Sequence, residues 1–133
     1  MRIGFTGTHR GMTPAQERVL RAMLSTYGSA AVHHGDCIGA DAQAHEIACT
    51  LGREVTIHPP TSGTYRAWKT GSDVRAPKAY LTRNKDIVRE TDMLIAAPAE
   101  TTEQVRSGTW STVRFARKLG KRVFVILPDG TVR

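Results

Sequence analysis

Arg2-Ile3-Gly4-Phe5-Thr6-Gly7-Thr8-His9-Arg10-Gly11-Met12-Thr13-Pro14-Ala15-Gln16 holds a strand, a turn and a helix start in one short stretch, and it decides the fold. Arg2 to Thr6 reads as a strand. Thr13 then offers an N-cap, Pro14 suits the first helical position, and Gln16 completes a capping box. Val19, Leu20, Met23, Leu24 and Tyr27 follow the helical period, and Gly28 is placed to end the helix. These apolar residues belong to a core and carry no chemistry.

The same unit recurs along the chain. Ala30 to His33 reads as a second strand, Ala40 to Leu51 as an alanine-rich helix closed by Gly52, and Glu54 to His58 as a third strand. Tyr80 to Glu90 resumes helical spacing, and Asp92 to Ala97 is a largely apolar strand ended by Pro98. A last helix from Thr109 to Leu119 leads through Gly120 to the strand Arg122 to Leu127. Five strands alternating with four helical segments predict an α/β fold: a five-stranded parallel sheet with right-handed crossovers and helices on both faces. A chain of 133 residues corresponds to one domain spanning 1–133. Pro59 to Pro77, rich in Gly, Pro, Ser and Thr, has no apolar period and is expected to be a long loop, either functional or disordered.

No apolar run approaches the roughly 20 residues that cross a bilayer, and no signal-peptide pattern opens the chain, so a soluble, cytoplasmic protein without membrane contact is expected. Cys37 and Cys49 are two thiols without a disulfide framework. A net charge of +7, from 19 Lys and Arg against 12 Asp and Glu, suits polyanionic partners or phosphorylated ligands, and equally a basic surface with no ligand.

In a doubly covered parallel sheet, ligands sit outside the carboxyl ends of the strands. The glycine- and charge-bearing turns at positions 7–11, 35–41, 59–77 and 98–109 all follow strands and should converge there. Gly7-Thr8-His9-Arg10-Gly11 offers backbone, a hydroxyl and a guanidinium suited to phosphate. It departs from GxGxxG, and the chain has no Walker A pattern, which argues against ordinary NAD binding and P-loop hydrolysis. In Gly35-Asp36-Cys37-Ile38-Gly39-Ala40-Asp41, Gly35 and Gly39 allow a tight bend and close approach to a ligand. Asp41 either caps the helix or accepts from a ribose hydroxyl. Ser107-Gly108-Thr109, followed by Ser111 and Thr112, leaves a helix N-terminus open to an anion.

His33, His34, Asp36, Cys37, His45 and His58 show no recognised ligand spacing, so neither a metal nor a cofactor is expected. Arg114, Arg117, Lys118 and Lys121 fall at i, i+3, i+4 and i+7 and form a basic stripe. The stripe either complements the helix macrodipole or meets single-stranded nucleic acid. Tyr65, Arg66 and Trp68 either stack on a base or pin the long loop to the core.

The strand-Gly-Thr-His-Arg start, His34-Gly35-Asp36-Cys37-Ile38-Gly39-Ala40-Asp41 with Ala44-His45, Arg83-Asn84, and Ser107-Gly108-Thr109 with Ala116-Arg117 follow one another in an order that resembles the SLOG superfamily of Rossmann-like proteins. The likeness covers nearly the whole chain and is nearest to the core of the DNA-processing protein DprA and to the small YspA-type proteins. It implies a Rossmann-like domain, a homo-oligomer in the manner of the superfamily, and binding of a nucleotide, a nucleotide-derived signal or single-stranded DNA at the strand ends. It also gives Arg83 and Asn84 a place in the pocket. LOG-type phosphoribohydrolases, another branch, cleave nucleoside monophosphates with a PGGxGTxxE motif. Here the Pro-Gly-Gly is absent and Ser111-Thr112 stand where the glutamate is expected. Glycosidic cleavage needs a carboxylate near the anomeric carbon, which Asp36, Asp41, Glu100 or Glu103 would have to supply.

Three functions follow from this reading: a nucleotide-binding module built on Gly7, Thr8, His9, Arg10, Gly35, Asp36, Gly39, Asp41, Arg83, Asn84, Ser107, Gly108 and Thr109; a single-stranded DNA binder using the basic stripe; or a nucleoside-monophosphate N-glycosidase with Asp36, Asp41 or Glu103 as catalytic candidates.

Overall fold

Thr13 begins the first helix with the capping box its spacing predicts. Its hydroxyl accepts from the Gln16 N–H at 3.1 Å, and the Gln16 side chain accepts from the Thr13 N–H at 3.0 Å. The Gln16 amide, fully buried, also donates to the carbonyls of Pro98 and Ile126 at 2.8 Å each. One side chain therefore starts the helix and ties it to the ends of two later strands.

A computed structural model describes residues 1–133. In chain order the elements are β1 (Arg2–Gly7), α1 (Pro14–Thr26), β2 (Ala31–His34), α2 (Ala40–Thr50), β3 (Val55–Ile57), β4 (Asp73–Val74), α3 (Tyr80–Glu90), β5 (Met93–Ala97), α4 (Gly108–Lys118) and β6 (Arg122–Val125). They form one parallel sheet in the order β4-β3-β2-β1-β5-β6. The direction of strand addition reverses between β1 and β5, which is the topological switch point of the sheet.

The core lies on both faces, as β5 shows. Met93, Ile95 and Ala97 pack with Leu20, Leu24, Ile47 and the inward residues of β1 and β2. Leu94 and Ala96 pack with Val88, Trp110, Val113 and Ala116. The period of two sends alternate residues to opposite faces, and all five are buried, as in a central parallel strand. No helix is long and apolar enough to cross a membrane.

The sheet corrects the sequence reading in one respect: it has six strands where five are expected. The addition is β4, two exposed residues inside the 59–77 segment, paired in parallel with β3 and followed by an Arg75 N–H that donates to the Ile57 carbonyl at 2.8 Å. Two residues are too few to show a period, so nothing local marks them as a strand. The rest of that segment lies back on the turn after β2, with Ile38 N–H donating to the Tyr65 carbonyl and Ala67 N–H to the Asp36 carbonyl, both at 2.7 Å.

Candidate functional site

At the switch point, beyond the carboxyl ends of β1 and β5, lies a cavity of about 270 Å³. The end of β1 contributes Gly7, Thr8 and His9; the turn after β2 contributes Gly35, Cys37 and Asp41; α3 contributes Arg83 and Asn84; and the α4 N-terminus contributes Ser107, Gly108 and Thr109. Phe5 and Ile87 form its apolar floor.

The turn between β2 and α2 is organised by two buried acids with different fates. Asp36, in the left-handed region at φ 57°, is fully buried. One carboxylate oxygen accepts from Lys69 N–H at 2.9 Å and the other from Arg66 Nε at 3.3 Å. Its own N–H donates to His34 Nδ1 at 2.9 Å. Asp36 thus anchors the long loop and does not line the cavity.

Asp41 does line it. Its Oδ2 accepts from the N–H groups of Gly35 and Cys37, each at 3.2 Å, while Oδ1 is buried with no hydrogen-bond partner. Burial pushes its carboxyl up to about 6 against the opposing pull of Arg83 and those two N–H groups. Burial also raises the Cys37 thiol, with the Asp41 charge adding to the effect.

Arg83 is the buried cation of the cavity. Only 4% exposed, it directs Nε to Asn84 Oδ1 at 2.7 Å and Nη1 to the carbonyls of Gly35 and His58, the latter at 3.2 Å. Nη2 meets only the Cys37 sulfur, at 3.8 Å. No carboxylate forms a salt bridge with it, so its charge is held by carbonyl dipoles and remains available to an anion. Gly35 makes this possible, because a Cβ there would stand 2.6 Å from Arg83 Nη1.

Opposite Arg83, α4 begins at Ser107, whose hydroxyl accepts from Trp110 N–H at 3.2 Å. The first N–H groups of a helix have no intrahelical acceptor, so Gly108 and Thr109 present donors and the positive end of the dipole to the cavity. His9 and Tyr65 stack with ring centroids 4.7 Å apart at the rim.

Not every residue of the sequence reading comes together. Arg10 is exposed and lies outside the cavity lining, as does Gly39. Gly39 serves the fold: at φ 83° it lets the turn pass directly over the His9 carbonyl, where a side chain would collide. Glu103 sits elsewhere, exposed and paired with Arg114 at 3.0 Å. On the basic stripe, Arg114 also donates to the carbonyls of Gln104 and Val105, and Lys121 Nζ donates to the Thr91 carbonyl at 2.7 Å. Arg117 lies 3.9 Å from Glu103, and Lys118 is exposed. Tyr80 and Arg106 line the cavity unforeseen; their place after long loops or at a helix start carries no local signal.

The histidines form two pairs. Asp36 N–H occupies His34 Nδ1, so the His34 proton lies on Nε2 and is donated to His45 Nδ1 at 2.9 Å. His45 Nε2 then faces Cys49 Sγ at 3.5 Å. Burial, reinforced by the charge of neighbouring histidines and Arg83, pushes His34 down to about 3, so the ring is neutral at pH 7. The second pair, His33 and His58, lies on the opposite face of the sheet and is likewise lowered by burial, His58 to about 4.

No protein-family model matches this chain, and a comparison with curated proteins finds no match. Solved structures share its fold. A molybdenum cofactor binding protein from the phototrophic bacterium Rippkaea orientalis aligns with 95% of this chain and 76% of its own, at 21% identity and a TM-score of 0.74. TM1055 aligns with 92% of this chain and 71% of its own, at 16% identity and a TM-score of 0.66. DNA processing protein A from Helicobacter pylori, described for its single-stranded DNA binding mode, aligns with 94% of this chain at 19% identity and a TM-score of 0.65; the match spans 64% of that protein. At these identities the likeness establishes a Rossmann-like fold.

Proposed function

We propose that this chain is a SLOG-type module that binds a nucleotide, or a similar phosphorylated heterocycle, in the switch-point cavity. The phosphate sits between Arg83 Nη2 and the Gly108 and Thr109 N–H groups, and Asp41 Oδ1 accepts from a hydroxyl or amino group of the same ligand. The observation that carries this reading is the buried Asp41 Oδ1 with no partner, in one cavity with a buried guanidinium that no carboxylate neutralises. Buried polar groups are normally satisfied, and both unmet demands are answered by one molecule bearing an anion and a donor. The molybdenum cofactor and the DNA bound by two of the structural neighbours share this chemistry, a phosphate joined to a planar nitrogen heterocycle.

Binding is favoured over glycosidic cleavage because such cleavage draws on two carboxylates, and of Asp36, Asp41, Glu100 and Glu103 only Asp41 lines the cavity. Homo-oligomerisation follows from the SLOG resemblance and is read on the same sample by light scattering.

Thermal unfolding against mononucleotides, a pterin phosphate and a single-stranded oligonucleotide, at low and high salt, tests the reading. A saturating small ligand should raise Tm, since about 100 times Kd adds roughly 2.7 kcal/mol. Arg83→Ala and Asp41→Asn should each remove the shift. An effect of the oligonucleotide alone, lost at high salt, selects DNA binding. Free base released in the same wells replaces the module with an enzyme, and no shift with any ligand refutes the proposal.

A further inference from the structure

Behind Arg83, on the α3 face of the sheet, a second group of side chains meets around a separate cavity. The register pairs His33 of β2 with Thr56 of β3, so His33 and His58 are diagonal neighbours on one face. Their residues are 2% and 3% exposed, and His33 Nδ1 lies 2.9 Å from His58 Nε2. A carboxylate oxygen of Glu90, the last residue of α3, lies within 4.8 Å of a ring nitrogen of each. A cavity of about 220 Å³ opens beside them, lined by His58, Glu90, Arg75, Lys78, Arg83 and Asp86.

We propose that His33, His58 and Glu90 form a binding site for a divalent transition-metal ion, zinc by ligand type, with its fourth position open to this cavity. Two imidazoles and one carboxylate are the donor set zinc takes where three protein ligands leave an exchangeable position. With metal–nitrogen bonds of about 2.0 Å, a tetrahedral edge is about 3.3 Å, so the two rings need part by only a few tenths of an ångström. No proton has to leave: each neutral imidazole keeps its single proton on the nitrogen away from the ion, and the proton now between the rings moves by tautomer exchange. Glu90 Oε1 accepts from Arg75 Nη2 at 2.6 Å, which leaves Oε2 for the ion and makes Arg75 the outer clamp that ligating carboxylates usually have. Arg75 also pairs with Asp73, and Lys78 pairs with Asp86 at 2.6 Å, so both cations are already compensated.

The pair on the other face is a poorer candidate. There the Asp36 N–H fills His34 Nδ1, and no carboxylate oxygen joins the two rings in a set of donor atoms within 4.8 Å of one another, as Glu90 does on this face.

The test uses the whole chain, stripped by chelator and titrated with cobalt(II) as a spectroscopic stand-in for zinc. One equivalent should give the visible band of a tetrahedral site, and zinc should bleach it. Glu90→Gln, at a partly exposed helix end, should weaken binding by about tenfold or more, and His58→Gln should abolish the band. Cys49→Ser should leave both stoichiometry and affinity unchanged. The proposal is overturned by the absence of saturable binding, by affinity unchanged in both Glu90→Gln and His58→Gln, or by loss of the ion in Cys49→Ser. Nucleotide binding enters none of these readouts.

Discussion

β2 carries consecutive histidines that face opposite sides of the sheet, and each meets a second ring at 2.9 Å. On the α2 side the path is closed: Asp36 N–H to His34, His34 to His45, His45 to Cys49. On the α3 side it is open, ending at Glu90 and a polar cavity. The same residue type at the same separation therefore does two jobs. A closed chain of donors and acceptors fixes a backbone, in this case the turn that carries Asp36 and Asp41. An open one leaves coordination capacity unused. What separates structural from functional polar groups here is whether the protein itself satisfies them.

The largest expected effect breaks the closed pair. His34→Ala opens a cavity, strands the buried Asp36 N–H and deprives His45 of its donor, which together should cost about 4 kcal/mol. His33→Ala creates a similar void without an orphaned backbone donor and should cost about half as much. Urea unfolding of the two variants measures the contrast; equal losses would mean that the closed chain has no special structural weight. Nucleotide affinity should fall with His34→Ala alone.

Asp41 comes next, because it is held by the turn yet left with an unused oxygen. Its carboxyl rises from the ordinary 3.8 to about 6 on folding. The fold therefore prefers the protonated form: this contribution is complete below pH 3.8 and is lost as pH rises through about 6. At pH 7.5 the charged group costs on the order of 3 kcal/mol. Asp41→Asn keeps an acceptor for the Gly35 and Cys37 N–H groups and carries no charge. It should stabilise the free protein at pH 7.5, and the gain should vanish near pH 4, while nucleotide binding weakens. A stability difference independent of pH would show that Asp41 titrates as an ordinary carboxylate.

A smaller effect is expected from Gly35→Ala, whose new methyl would meet the Arg83 guanidinium at 2.6 Å from Nη1. Overpacking of this kind costs about 1–3 kcal/mol. The sharper readout is ligand affinity, expected to fall about tenfold as Arg83 is displaced. Retained affinity would detach Arg83 from the phosphate.

The strand-turn-helix rhythm was legible because its signals are local. Thr13, Pro14 and Gln16 declare a helix start within four residues, and the apolar run of β5 declares a central strand. The gathering of turns at one sheet edge follows from topology. What sequence could not show is which polar groups are satisfied. Asp36 and Asp41 stand five residues apart in one motif, yet Asp36 is saturated by Arg66 and Lys69, some thirty positions away. The Gln16 amide reaches carbonyls 82 and 110 residues distant. His33 and His58, 25 residues apart, become neighbours only through the β2–β3 register. Spacing rules for metal motifs miss ligands that meet in this way.

The basic stripe of α4 extends the comparison to the surface and carries the smallest expected effect. Arg114 and Arg117 share Glu103, and Arg114 also covers two carbonyls of the preceding loop. Both are solvent-accessible, and exposed pairs of this kind contribute about 0–1 kcal/mol. Arg117→Ala should therefore change stability by no more than about 0.5 kcal/mol and leave mononucleotide affinity unaltered. Arg114→Ala should cost slightly more through the loop carbonyls it releases. Arg114, Arg117 and Lys121 of the stripe are engaged in contacts within the protein, like the His34 pair, whereas Arg83 is a buried cation the protein leaves open. Measuring oligonucleotide affinity at two salt concentrations decides between them: a steep salt-dependent loss in Arg114→Ala and Arg117→Ala, with Arg83→Ala unchanged, would move the anion-binding surface from the cavity to α4.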